Sequence, residues 1–408
     1  MAVAALPSLL TEVETAVGAS RPDAVDTAVK AFHAKAPPLD LVRAAARGVA
    51  SRYDRASGVA PRSLAILGAA ANLTSVMEPR FQLLPVLQAI AYASAEKKPA
   101  APAKPPLIVS GEVTHLGRSF LFAVRAGDVA EAESIFLGMV DEGWERKMAG
   151  DMLFRAALED MGEGGRKLFL SVKSWQLARS LGFKDARMIL RPAVDYLVKG
   201  PRDRTGFETI LTVLGKEWVD LEALASGGRP LDEPGRRRMH QIASATSDAA
   251  CIDSTLSLLR DGYAASGLAE GLVVATARRL LTAKGYDTEA ARRLLFAHAS
   301  RFVLNFSRTG ERLYVLFQAA LRVRSPEPKV YEEAGPETFT GKLDVLANLA
   351  SRDSPTANEG YNLLLADACI AEYGATKAAP IVLALARMTE ASPKDQAAYQ
   401  SWAPLFGP

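Results

Sequence analysis

Four histidines and two cysteines are the only imidazoles and thiols in 408 residues, so chemistry built on either has few places to occur. His298 stands out. It lies within a long apolar run with Leu294, Leu295, Phe302 and Phe306, and Arg301 follows three positions later on the same helical face. A buried imidazole can serve as a general base or hold a ligand, and Arg301 or Arg293 could orient an anionic substrate beside it. It can equally be a core histidine bonded to a backbone carbonyl. A second group of candidates is Lys173, Trp175 and Gln176, followed one helix later by Arg187, Arg191, Asp195 and Tyr196. Lys173 or Arg191 with Asp195 could bridge adjacent helices as a partly buried pair. Such a pair binds an anion or moves a proton, or it is simply a structural ion pair.

Other chemistries fail on spacing. Gly162-Glu163-Gly164-Gly165-Arg166-Lys167 lacks the Walker spacing, no hydroxyl follows the lysine, and a helical pattern precedes it, so a turn between helices is expected. There is no dinucleotide fingerprint, no G-x-S-x-G elbow and no HExxH or paired ExxH. A multi-histidine metal centre would need nearly all of His33, His115, His240 and His298 to converge. Neither a metal nor a nucleotide motif is present, and the cofactor is left unspecified. Cys251 and Cys369 are far apart and in no ligand-like spacing, which suits reduced structural thiols.

The elements that must position these residues are helices. Ala, Leu, Arg and Glu dominate, period-2 alternation is scarce, and Leu107-Ile108-Val109 is the best short strand candidate. The clearest unit runs from Asp128 to Gly200. Gly127 suits a left-handed helix end, Asp128 an N-cap and Glu131 the capping-box position. Ile135, Phe136, Met139 and Val140 then mark one stripe, and three further runs (Met148 to Ala157, Leu168 to Leu181, Ala186 to Val198) complete four helices. Similar sets of four start at Asp23 and at Asp248. The distances Asp23 to Leu64, Asp128 to Leu168 and Asp248 to Leu294 are roughly 40 to 46 residues, as a duplicated helical unit would give.

These patterns divide the chain into an N-terminal unit (1–95), an Ala/Pro/Lys linker (96–110), a central unit (111–200), connecting helices (201–246), a third unit (247–325) and a C-terminal cap or decayed fourth unit (326–408). The expected fold class is all-α, a helical repeat or multi-helix bundle of about three four-helix units without a significant sheet. At 49% hydrophobic residues the chain can bury a large core. A net charge of +3 argues against a dedicated nucleic-acid binder, and Arg236-Arg237-Arg238 is expected as a solvated helix start or a phosphate or partner contact. The apolar start MAVAALPSLL lacks a basic flank and a long enough core for a secretory signal, and no run is long enough for a membrane span. A soluble, cytoplasmic protein is expected.

The runs Gly165-Arg166-Lys167-Leu168, Trp175-Gln176-Leu177-Ala178, Leu190-Arg191-Pro192 and Tyr196-Leu197 resemble the all-helical domain of questin-oxidase-like proteins. A related helical domain is fused behind Rieske ferredoxin modules. The resemblance spans 23 to 323 and implies a helical fold, oxidative chemistry on an aromatic polyketide, and histidines recurring on the third helix of each unit. Here Arg62 and Arg166 stand at the start of that helix in the first two copies, and Phe296-Ala297-His298-Ala299 keeps a histidine on it. Two functions follow. One is a binding module or scaffold whose inter-helix groove holds a protein partner or a small hydrophobic ligand. The other is an oxidase of secondary metabolism acting in a pocket near His298.

Overall fold

A computed structural model describes residues 6–53, 58–96, 107–140, 143–324 and 338–407. It is all-α. Five helices come first: α1 (Leu6–Gly18), α2 (Ala24–His33), α3 (Pro38–Ser51), α4 (Arg62–Leu73) and α5 (Leu83–Ala95). Next are α6 (Val113–Ala126), α7 (Val129–Met139), α8 (Gly143–Leu158), α9 (Gly162–Ser180) and α10 (Ala186–Lys199). The connecting helices are α11 (Thr205–Lys216), α12 (Leu221–Ala225) and α13 (Glu233–Ala243). Then come α14 (Asp248–Arg260), α15 (Ala265–Leu281), α16 (Thr288–Phe306) and α17 (Leu313–Val323). The last group is α18 (Leu343–Ala350), α19 (Tyr361–Thr376), α20 (Ala379–Ala391) and α21 (Ala397–Trp402). Among the described residues the one β contact is an isolated bridge between Arg229 and Tyr263. No described helix is long and apolar enough to cross a membrane.

Four helices make the centre. α4 packs on α9, α9 on α16, α16 on α19, and α19 on α4, closing a ring. Each is flanked by its chain neighbours: α3 and α5 beside α4, α8 and α10 beside α9, α15 and α17 beside α16, α18 and α20 beside α19. Residues 63–71 of α4, 167–178 of α9, 294–300 of α16 and 361–370 of α19 are buried without interruption. A helix buried on every side is what an inner position requires. All four also run in the same sense. Arg62 meets Glu359 while Asn72 meets Asp367, and Arg292 meets Tyr361 while Arg301 meets Glu372. On the α4–α9 side, Gly68 lies against Lys173 and Leu177 while Asn72 reaches Ser180.

Local signals explain several helix ends. Gly127 is left-handed with φ 81°, and the Asp128 carboxylate accepts from the Glu131 N–H at 3.0 Å, as the sequence predicts. The turn expected at 162–165 is also present. Glu163, Gly164 and Gly165 are all left-handed, so regular helix begins at Arg166. Gly165, at φ 80°, is required there twice over, because a Cβ would also lie 2.3 Å from the Phe296 ring.

Several expectations need correction. Helix α1, which the sequence reading does not pick out, buries a stripe of Leu9, Val13, Ala16 and Val17 against α3. The third set begins at Ser247, whose hydroxyl accepts from the Ala250 N–H, and Asp248 lies inside the helix. Leu107-Ile108-Val109 is no strand; Val109 donates to the Ser134 carbonyl of α7. Helices α6 and α21 extend the expected sets. The linker at 97–106 and the break at Pro326-Glu327-Pro328 lie outside the described residues.

Candidate functional site

The central ring carries one polar layer, and each of its four helices contributes. Asn72 comes from α4, Lys173 and Gln176 from α9, His298 and Arg301 from α16, and Asp367 and Glu372 from α19. The Lys173 ammonium, fully buried, donates to Asp367 Oδ2 at 2.6 Å and to Gln176 Oε1 at 3.0 Å, and lies 3.4 Å from His298 Nε2. Asn72 Nδ2 donates to both Asp367 oxygens at 3.2 Å. On the other side of the imidazole, His298 Nδ1 is 2.8 Å from Glu372 Oε1, and Arg301 donates to Glu372 Oε2 at 2.8 Å. The chain of contacts therefore crosses the whole ring, from Ser180 and Asn72 through to Arg301.

The proton positions follow from the partners. An ammonium carries donors only, so the nitrogen that faces it, Nε2, is the acceptor and Nδ1–H donates to Glu372. Asp367 and Glu372 balance the charges of Lys173 and Arg301. Burial would raise the Glu372 pKa, but the hydrogen bond from His298 and the charge of Arg301 outweigh it and hold the carboxyl below its usual range.

One end of this layer reaches the surface. An open recess of about 340 Å³ is bounded by Gln176, Arg179, His298, Arg301, Asn305, Glu372 and Ala371, with Phe302 and Phe306 as its aromatic wall. Those two rings are stacked 5.9 Å apart, and Trp175 and Phe154 meet Phe306 edge-on at 5.7 and 5.2 Å. Arg179 is exposed on α9, sits 6.0 Å from the Phe302 ring and has no carboxylate partner among the described residues. The recess thus offers flat apolar surface, an uncommitted guanidinium and two side-chain amides.

Of the residues singled out in the sequence, Lys173, His298 and Arg301 converge here, with Trp175 packed behind the aromatic wall. The rest lie elsewhere. Arg293 pairs with Glu289, and Tyr196 donates to Glu163 at 2.6 Å. Lys173 pairs with Asp367 and not with Asp195, and Arg191 pairs with the buried Glu133 of α7. Asp195 is buried on α10, outside the ring. Cys251 and Cys369 are buried and free, and burial pushes the Cys251 thiol up to about 12. Among the described residues no cluster of three or more His, Cys, Asp or Glu could hold a metal ion.

Asp367, Glu372 and Asn72 were not among the residues singled out. A signal for them exists: Asp367 interrupts the apolar run Leu363-Leu364-Leu365-Ala366, and Glu372 follows Cys369-Ile370-Ala371. A carboxylate inside an otherwise apolar helix requires a cationic or donor partner. Which partner it takes is set by helices far away in sequence.

Fold and site together define an all-helical protein with a same-sense four-helix centre, a buried ionic layer and an aromatic recess at that layer's end. Comparison with protein-family models, characterised proteins and solved structures finds no match.

Proposed function

We propose that the protein is a small-molecule binding module whose ligand is a compact aromatic acid held in the His298 recess. The observation that carries this reading is the juxtaposition of the Phe302–Phe306 stack with Arg179, a guanidinium lacking a carboxylate partner among the described residues. A planar apolar ring gains from the stacked phenylalanines, and its carboxylate gains a charge-assisted hydrogen bond from Arg179. The recess volume falls within the usual range of ligand pockets, roughly 300–1,000 Å³. Behind it, the ionic layer fixes His298 and Arg301 so that the wall is preorganised.

The oxidase reading implied by the sequence resemblance would use the same recess, with His298 as the base. Because His298 Nε2 is directed at Lys173, its lone pair is engaged inside the ring, and this weighs toward binding over catalysis.

Calorimetric titration with 2-naphthoate tests the proposal. Saturable one-site binding is expected, weakened about tenfold in Arg179→Met, as loss of one charge-assisted hydrogen bond predicts. Absence of saturation, or equal affinity in the variant, would overturn it.

A further inference from the structure

A larger cavity, of about 770 Å³, lies on the far side of Arg301 from the His298 recess. Its floor is one face of α15. Gly267, Glu270, Gly271, Val274, Ala275 and Arg278 line it at alternating spacings of three and one, the helical pattern for residues sharing a side. From Gly267 to Arg278 that face extends about 17 Å at the α-helical rise. One wall is Leu231 with Met239 and His240 of α13; the opposite edge is Arg301 of α16 with Thr376 and Ala378 at the α19–α20 junction. Gly271 lets the first wall approach closely, since a Cβ there would lie 3.1 Å from Met239 and 3.2 Å from Leu231.

The lining changes character along its length. Leu231, Met239, Val274 and Ala275 give a continuous apolar stretch, and the charged residues are Arg236, Arg278 and Arg301 against the single carboxylate of Glu270. Arg236 has Glu233 within 3.7 Å and Arg301 is held by Glu372. Arg278 differs from both. It has no carboxylate partner among the described residues, and its Nε is buried without a hydrogen-bond partner. A buried donor left unpaired is unfavourable, and an anionic oxygen at that point would satisfy it.

We propose that this groove is a second binding site, for a free single-chain amphiphile with one anionic head, of the long-chain carboxylic acid class. The head sits at Arg278, and the chain lies along Val274, Ala275 and Gly271 toward Met239 and Leu231. Shape and charge agree on that direction: between Glu270 and Arg278 the α15 face is apolar through Gly271, Val274 and Ala275, and the lining has an excess of cations. The groove and the aromatic recess share Arg301 but have separate anion-binding arginines, because Arg278 does not line the recess and Arg179 does not line the groove.

The test is fluorescence titration of the full chain with cis-parinaric acid and with its methyl ester. Saturable binding of the acid is expected, with the ester and the Arg278→Met variant each binding at least about tenfold more weakly. Arg179→Met should bind the acid as the unaltered protein does. Circular dichroism checks that the variants fold, and Arg278→Gln, which keeps amide donors without the charge, should also bind weakly. No saturable signal, equal affinity of the unaltered protein for acid and ester, or acid affinity unchanged in both Arg278 variants would overturn the proposal. Loss of binding in Arg179→Met with Arg278→Met unaffected would place the acid in the recess and also overturn it. Flotation of the protein with phosphatidylglycerol vesicles would replace the free acid by a membrane surface, a third contrary result.

Discussion

At the level of single residues, the central ring commits four formal charges and a histidine to one layer and satisfies them across four helices. The arrangement is costly to break. Removing one member of a buried pair leaves the other desolvated and uncompensated, typically at about 3–5 kcal/mol. Lys173→Met should therefore lower unfolding stability by an amount of that order, because Asp367 keeps only the Asn72 amide. The double variant Lys173→Met/Asp367→Leu should lose less than Lys173→Met alone, since no charge is then stranded. Urea unfolding decides this, and strictly additive losses would contradict the pairing. Glu372 supplies a pH-dependent contribution. Its folded pKa is depressed, so its stabilisation is complete above the unfolded carboxylate value, about 4.3, and is lost as pH falls through the lower folded value. The stability gap between the unaltered protein and Glu372→Gln should accordingly be widest near neutrality and close under strongly acidic conditions. A gap unchanged with pH would contradict the ionic role. His298 and Lys173 were legible as candidates because each interrupts an apolar helical stripe. Their partners were not, since Asp367 and Glu372 lie on a helix that no local pattern connects to α9 or α16.

Among the helices, periodicity and capping carried most of the information. The Gly127–Asp128 boundary, the four runs of the central set and the breaks at 162–165 and Gly200 are all set by residues in immediate sequence contact. Boundaries were less legible where two capping residues compete, as at Ser247 and Asp248. Helix α1 escaped notice because an apolar N-terminus invites comparison with a targeting segment before its stripe is counted. The left-handed turn ahead of α9 is the junction on which the central ring most visibly depends. Gly165→Ala must place a side chain at φ 80° and against Phe296, so it should lose at least about 2 kcal/mol, combining backbone strain with overpacking of the α9–α16 contact. Thermal unfolding of Gly165→Ala beside Gly182→Ala separates the two effects. Gly182 shares the left-handed backbone, at φ 70°, but has open space around it. Equal losses would show that the Phe296 contact adds nothing.

For the molecule as a whole, the feature hidden from sequence was the way the helix sets come together. Similar spacings in three segments suggest stacked units, but whether they extend as a superhelix or close on themselves depends on which faces meet. Here α4, α9, α16 and α19 pack in a ring and run in one sense, with their chain neighbours outside. Closure puts Lys173, His298 and Glu372 within hydrogen-bonding reach despite sequence separations of 125 and 74 residues. The same closure leaves the His298 recess and the α15 groove on either side of Arg301, where helices of different sets diverge. Composition and periodicity pointed to a helical protein; they held no information on where a recess would open or which arginine would line it. The most direct test of the account is a crystal structure of the protein with 2-naphthoate. The naphthyl ring should lie against Phe302 and Phe306 with its carboxylate at Arg179, and the Lys173–His298–Glu372 contacts should remain intact. A ring bound elsewhere, with the recess empty, would contradict it.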